Sequence, residues 1–135
     1  MTDASPSAPL RIVVTAAVIE RDDAFLVTRR PSGVHLEGYW EFPGGKCEQG
    51  ESHVASLERE ITEELGTRVT VGDEVFATTH AYPDRVVELH FFECRLEGQP
   101  RAVLGQEMRW VSREELTLLR FPPADEELIR KLAGR

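Results

Sequence analysis

The sequence predicts an α+β protein in which helices cover both faces of a central mixed β-sheet, an α/β/α sandwich. Strand-forming segments occur in pairs separated by short turns, as in β-hairpins. One amphipathic helix separates two of these hairpins, and helical segments close the chain, an order typical of layered domains. The 135 residues are enough for one hydrophobic core, so residues 10–135 are expected to form a single domain.

The predicted strands are rich in β-branched and aromatic side chains. They cover residues 11–20, 24–30, 40–42, two segments within 69–82, 86–96 and 108–111. We expect the first strand to be central, and a turn at Gly72 and Asp73 to divide the segment 69–82. Residues 1–9 are small, polar and proline-containing, which predicts a disordered tail.

Capping residues mark the predicted helices. The first helix covers residues 52–65, with Ser52 as its N-cap and Gly66 just after its last turn. A second helix begins at Ser112, where Glu115 completes a capping box, and an amphipathic helix follows residues 122–125. The apolar stripe of the first helix, which we expect to face the core, consists of Val54, Leu57, Ile61 and Leu65.

Composition restricts the classes of partner. The formal net charge of −8 argues against a nucleic-acid duplex or an anionic membrane as the main partner. No apolar run approaches the length of about 18 residues that a membrane span requires. The first residues lack the features of a signal peptide. Cys47 and Cys94 share no short motif, so we expect a reduced, cytoplasmic protein.

Three glutamates on the first predicted helix converge on one flank. Glu60 and Glu64 are one turn apart, and Glu63 lies on the same side. Carboxylates at this density repel one another unless a cation neutralises them. Hard divalent ions such as Mg²⁺ prefer oxygen ligands, so the helix flank is a candidate metal site.

The spacing around these glutamates is specific. Residues 45–66 read G-x5-E-x7-R-E-I-x-E-E-x-G, and this pattern resembles the signature of the Nudix hydrolase family. Thr67 stands where the family usually has an aliphatic residue, a position that packs and does not catalyse. The resemblance implies a Nudix-type fold and hydrolysis of a nucleoside diphosphate linked to another group, with Mg²⁺, or alternatively Mn²⁺, as cofactor.

The resemblance also implies roles for individual residues. The expected metal ligands are Glu60, Glu63, Glu64 and the carbonyl oxygen of Gly44. Arg59 is expected to orient carboxylates by bidentate hydrogen bonding. The general base is left open between Glu60, Glu63 and Glu107, the last in the loop before Trp110. His53 has no role in the family pattern and is interpreted as a surface histidine.

Further residues resemble the MutT-like branch of the family, over nearly the whole chain. They are the stretch WEFPGGK at 40–46, the turn YPDR at 82–85 and FPPAD at 121–125. By this resemblance a small-molecule nucleotide is the substrate, bound by a monomer or homodimer. The expected substrate-binding residues are Arg30, His35, Glu41, Phe42, Pro43, Gly44, Arg85 and Asp125.

Asp125 leaves the preferred base open. The MutT-like pattern has asparagine here, which both donates and accepts hydrogen bonds, whereas an ionised aspartate only accepts. 8-oxo-dGTP is the leading expected substrate, in nucleotide-pool sanitation and DNA repair, followed by (d)CTP or 5-methyl-dCTP. ADP-ribose hydrolysis and a non-catalytic nucleotide-binding module are weaker alternatives. Asp125 also suits a simple N-cap of the last helix.

Overall fold

The computed structural model describes residues 10–134 and shows a seven-stranded mixed sheet with helices on both faces. The predicted tail at residues 1–9 therefore lies outside the described residues. The strands are β1 (Leu10–Arg21), β2 (Ala24–Arg29), β3 (Trp40–Glu41), β4 (Gly44–Lys46), β5 (Val69–Ala81), β6 (Arg85–Leu96) and β7 (Met108–Ser112). The helices are α1 (His53–Leu65), α2 (Arg113–Leu116) and α3 (Glu126–Ala133), the last preceded by a short 3-10 turn at Pro123–Asp125.

Strand β1 is central, as predicted. The main strand order is β3-β2-β1-β6-β5, with β4 paired to β1 and β7 paired to β2. Strand β1 runs parallel to β6 and antiparallel to β2 and β4, so the sheet is mixed. Asp22 and Asp23 join β1 to β2 with φ of 54° and 63°, the left-handed conformation that two-residue hairpin turns require.

Two hydrophobic clusters hold the layers together, because side chains alternate between the two faces of each strand. Ala17 and Ile19 of β1 join a cluster with α1 on one face. Ala16 and Val18 join a cluster with α2 and α3 on the other face. This arrangement confirms the predicted α/β/α sandwich. Within residues 10–134, no helix is long and apolar enough to cross a membrane.

Helix α1 is fixed at both ends. The Ser52 hydroxyl accepts a hydrogen bond from the Ala55 backbone N–H at 3.1 Å, and Gly66 adopts the left-handed conformation with φ 67°, both as predicted. The segment before β7 binds free carbonyls at the helix end. The side-chain amide of Gln106, for example, donates to the Glu64 carbonyl at 2.9 Å. The glutamates therefore project from a firmly capped helix.

The predicted turn at Gly72 and Asp73 is wrong. Strand β5 continues through both residues, and its register against β6 shifts between Val71 and Glu74. The strand accommodates the extra residues as a bulge, a place where glycine is common within strands. A local turn signal was overridden by pairing with β6.

Two expectations near α1 also need correction. Gly44 and Gly45, which lie outside the predicted strands, form a short strand because they pair with Ala16 and Thr15 of β1. Val54 was expected in the apolar stripe but remains 41% exposed, whereas the other three members of the stripe are fully buried. The hydrophobic contact of α1 therefore begins at Leu57, one turn into the helix.

Candidate active site

A cavity of about 410 Å³ lies beside β1, β4 and β6, a volume typical of small-molecule sites. It brings together seven of the eight predicted substrate-binding residues: Arg30, His35, Glu41, Phe42, Gly44, Arg85 and Asp125. The eighth, Pro43, has its carbonyl bonded to the Ala17 backbone N–H at 2.8 Å, so its role is to fix the wall.

Gly44 and Gly45 connect this cavity to the glutamates of α1. A Cβ atom on Gly45 would overlap the Glu60 carboxylate, and one on Gly44 would overlap the backbone of β1. The backbone N–H of Gly44 also hydrogen bonds to Glu64. Because glycine lacks a side chain, the Glu60 carboxylate lies directly against Gly45, which lines the cavity.

Glu60 and Glu64 form a hydrogen-bonded carboxylate pair. Burial, the hydrogen bond from Glu64 to Glu60 and the nearby charges of Glu60 and Glu41 together raise the pKa of Glu64 to about 9. Paired carboxylates with the backbone of Gly44 beside them supply the hard oxygen donors that a divalent cation prefers. The residues present therefore fit a site for such an ion, which Glu60 and Glu64 could hold.

Arg59 fixes the position of the pair. Its Nε and Nη2 donate to the two carboxylate oxygens of Glu51 at 2.7 and 2.9 Å, and its Nη1 donates to Glu60 at 2.8 Å. The hydrogen bonds from Arg59 and from the Glu48 backbone N–H lower the pKa of Glu51 to about 2. Arg59 makes the expected bidentate contact, which joins the loop before α1 to the face of the helix that carries Glu60.

At the other end of the cavity, burial and the charge of Glu41 raise the pKa of Asp125 to about 7. The side chain is 4% exposed and makes no capping hydrogen bond to α3, all of whose residues are described. The interpretation of Asp125 as a helix cap is therefore wrong, because its side chain turns to the cavity wall. Burial also raises the pKa of Glu41, although Arg30 Nη1 contacts Glu41 at 2.9 Å and opposes that rise.

Aromatic rings form the apolar walls. Phe42 stacks on Phe121 with ring centroids 5.4 Å apart and meets Phe91 edge-on at 6.0 Å. His35 packs edge-on against Tyr82 at 5.3 Å across the mouth. The cavity therefore offers a flat apolar surface between two polar ends, as binding a nucleobase requires.

Two of the candidate general bases, Glu63 and Glu107, lie at the surface. Glu63 has an exposed side chain, 57% accessible, and contacts Arg59 at 3.4 Å. Glu107 pairs with Arg29 at 3.3 Å and lies in a separate surface depression between residues 29 and 107. In this structure Glu107 is thus set apart from Glu60 and Glu64, and its role as a base remains a prediction.

Known proteins resemble this chain in sequence. Residues 14–131 match the family model described as the NUDIX domain. The chain is a Nudix hydrolase. It is 39% identical over 119 residues to the CTP pyrophosphohydrolase of Escherichia coli K12, covering 87% of this chain and 88% of that protein. It is 36% identical over 124 residues to the 8-oxo-dGTP diphosphatase of the same organism, covering 91% and 95%.

Solved Nudix structures agree with the fold. The solution structure of the E. coli ORF135 protein has a TM-score of 0.80 at 37% identity, covering 90% of this chain and 88% of that one. The structure of MutT, from an analysis of the Aliivibrio salmonicida and Vibrio cholerae proteins, has a TM-score of 0.75 at 28% identity, covering 92% and 97%. Nudix hydrolases use divalent metal ions, which matches the donor set formed by Glu60 and Glu64.

The Nudix pattern did not identify every residue of the cavity. Tyr82 and Leu36 line it, as do Val87 and Leu89 of β6. The alternation of β6 was the available signal, because its odd-numbered apolar residues share the face opposite α1. Leu36 gives no comparable signal, since a loop residue with φ 58° follows no periodicity.

Proposed function

We propose that the protein hydrolyses a nucleoside triphosphate to the monophosphate and pyrophosphate, with 8-oxo-dGTP as the leading substrate. The observation that carries the proposal is one cavity that extends from the glycines beside the Glu60 and Glu64 pair to the buried Asp125. Glu60 and Glu64 lie behind Gly44 and Gly45 at one end, and Asp125 lies at the other. This order matches a triphosphate at the first end and its base at the second.

Asp125 supports the choice of base. With a pKa near 7, it is largely ionised at slightly alkaline pH and then only accepts hydrogen bonds. The N7–H of 8-oxoguanine is a donor, whereas the same position of guanine is an acceptor. An ionised Asp125 therefore favours the oxidised base over the normal one. The relative named 8-oxo-dGTP diphosphatase, at 36% identity, is consistent with this assignment.

Cytosine nucleotides are the second candidate. The exocyclic amine of cytosine is also a donor, so an ionised Asp125 suits (d)CTP and 5-methyl-dCTP as well. The relative named CTP pyrophosphohydrolase, at 39% identity, supports this alternative. The two substrates differ in size, so a purine in the cavity needs more of the space between Phe42 and Tyr82.

The reaction requires that phosphate charge be neutralised before water attacks. A divalent ion, Mg²⁺ in the first instance and Mn²⁺ as an alternative, supplies that neutralisation and acidifies bound water. The protein provides the oxygen donors of Glu60, Glu64 and Gly44 and holds them with Arg59. Arg30 and Arg85 line the cavity, and we assign them to phosphate or sugar oxygens of the substrate. Attack at the β-phosphorus releases the monophosphate.

The base that accepts the water proton is assigned to Glu60, Glu63 or Glu107. Glu60 is already bonded to Arg59 and Glu64, so its replacement disturbs the metal site as well. Glu63 and Glu107 are exposed, but Glu63 is also an expected metal ligand, so the Mg²⁺ dependence of Glu63→Gln is measured alongside its pH profile. The pH dependence of kcat for Glu63→Gln and Glu107→Gln separates the three: loss of the acidic limb in one variant identifies the base.

The decisive experiment measures pyrophosphate release and kcat/KM for 8-oxo-dGTP, dGTP, dCTP, 5-methyl-dCTP and ADP-ribose, with Mg²⁺ and then Mn²⁺. A preference for 8-oxo-dGTP supports the leading assignment, and a preference for cytosine nucleotides replaces it by the alternative. Asp125→Asn then tests the base contact: an unchanged preference means that Asp125 does not read the base. Should wild type and Glu64→Gln be equally inert on every substrate, the domain binds nucleotides without cutting them.

Two further assignments belong to this proposal. Cys47 and Cys94 are free thiols, which suits a reducing cytoplasmic compartment. The protein is a monomer or a homodimer. Sedimentation at enzyme-assay concentrations decides between these two states.

A further inference from the structure

Two histidines and a glutamate converge on the face of the sheet that carries α1. His53 is the first residue of α1, Glu74 belongs to β5 and His90 to β6. His90 and its neighbour Glu88 occupy even-numbered positions of β6, whereas the cavity-lining Leu89 occupies an odd one. Successive strand residues point to opposite faces, so this cluster and the nucleotide cavity lie on opposite sides of β6.

The three side chains present ligand atoms at nearly the spacing that a small ion requires. One nitrogen or oxygen atom from each of His53, Glu74 and His90 lies within 4.8 Å of the others. His90 Nδ1 is already 3.2 Å from Glu74 Oε2. Ligands around a tetrahedral Zn²⁺ lie ~3.3 Å apart when each bond is about 2.0 Å. The imidazole of His53 lies over that of His90, with ring centroids 4.2 Å apart.

A fourth residue orients His90. Its Nε2 lies 2.7 Å from Glu88 Oε2, and Glu88 is held in turn by Arg11 at 3.4 Å. An Nε2–H that donates to Glu88 leaves the Nδ1 lone pair directed at Glu74. Histidines that bind metal ions commonly donate their second ring nitrogen to a carboxylate in this way.

The first turn of α1 lacks the apolar contact that holds the rest of the helix. Val54 is 41% exposed, and the buried apolar side chains of α1 begin at Leu57. Below the first turn, the hydroxyls of Ser56 and Thr15 face each other at 3.3 Å. An ion shared by His53, Glu74 and His90 supplies a direct link between this turn and the sheet.

We propose that His53, Glu74 and His90 form a second metal site, which binds Zn²⁺ and fastens the first turn of α1 to β5 and β6. Imidazole nitrogen suits Zn²⁺ better than Mg²⁺, so the site is chemically distinct from the all-oxygen site of Glu60 and Glu64. Three protein ligands leave one position for water. The proposal does not depend on which nucleotide the enzyme hydrolyses.

Calorimetric titration of metal-stripped protein with Zn²⁺, in excess Mg²⁺ to occupy the carboxylate pair, tests the site. One Zn²⁺ is expected to bind, and His53→Gln and His90→Gln are expected to weaken that binding at least ~10-fold, as is Glu88→Gln through the orientation of His90. His80→Gln is the matched control, because His80 packs on Tyr82 elsewhere and should bind Zn²⁺ like wild type. Zn²⁺ should also raise the Tm of wild type but not of His53→Gln.

Two results overturn the proposal. Zn²⁺ affinity that is equal in wild type and His53→Gln places the ion elsewhere, as does a loss in His80→Gln equal to that in His90→Gln. His53 lies on the helix surface, so His53→Gln should keep its circular dichroism and its Mg²⁺-dependent pyrophosphate release. These two measurements ensure that a loss of Zn²⁺ binding is not mistaken for unfolding.

Discussion

Replacing Glu64 by glutamine should stabilise the metal-free protein while abolishing its activity. The pKa of Glu64 is raised from 4.5 to about 9, chiefly by burial and then by Glu60. The carboxyl group is therefore protonated in the metal-free folded state at neutral pH but ionised in the unfolded chain. Between those two pKa values the folded state binds the additional proton, so its stability falls as pH rises from 4.5 to about 9. Glutamine has no proton to lose and avoids this cost.

The magnitude follows from the pKa difference. At about pH 7.5, roughly three units above the ordinary value at ~1.36 kcal/mol per unit, holding Glu64 protonated costs about 4 kcal/mol. Coupling to Glu60 and partial solvent access reduce the expected effect to about 2 kcal/mol. For a chain of this length that corresponds to a rise in Tm of about 8 °C. The difference between Glu64→Gln and wild type should become small near pH 5.

Thermal unfolding in EDTA, followed by circular dichroism across this pH range, measures the effect. Glu58→Gln is the matched control, since Glu58 is exposed on the same helix and should leave Tm unchanged at every pH. Mg²⁺ should then stabilise wild type more than Glu64→Gln, because the ion takes the place of the proton. The reasoning is refuted if Glu64→Gln is less stable than wild type in EDTA, or if the difference in Tm does not depend on pH.

Three further predictions concern neighbouring groups. Gly44→Ala should lower the free energy of unfolding in urea by at least about 3 kcal/mol, because its Cβ meets the rigid backbone of β1. Gly45→Ala should mainly lower kcat, because its Cβ displaces the flexible Glu60 carboxylate. Arg59→Lys loses the bidentate contact with Glu51, so it should lower the urea midpoint of unfolding and weaken Mg²⁺ activation. Selectivity in kcat/KM for 8-oxo-dGTP over dGTP should increase as pH rises through about 7 as Asp125 ionises, and should be flat in Asp125→Asn.

Much of helix α1 was predictable because its signals are local. Ser52 and Gly66 lie at its two ends, and each cap depends on residues within a few positions in the chain. The convergence of Glu60 and Glu64 follows from helical geometry alone. The family pattern then identified seven of the residues that line one cavity, although it could not show how they contact one another.

What the sequence did not predict depends on partners distant in the chain. Gly44 became a strand residue only because β1 lies beside it. Asp125 has the sequence context of a helix cap, but the packing of the turn before α3 buries its side chain in the cavity wall. His53 was interpreted as a surface histidine, and nothing local in the sequence indicates that its ring lies against His90. The pairing of β5 with β6 then brings Glu74 beside His90.

Glu41 links the two ends of the site electrostatically. Its charge contributes to the raised pKa of Glu64 and also to that of Asp125. Arg30 forms an ion pair with Glu41. The effect of Glu41 on Glu64 and on Asp125 therefore depends on this ion pair, for which a bound phosphate competes. We expect a triphosphate that engages Arg30 to weaken that ion pair and so to change the charge on Glu41. Phosphate binding at one end is then expected to alter the protonation of Asp125, and with it base preference, at the other.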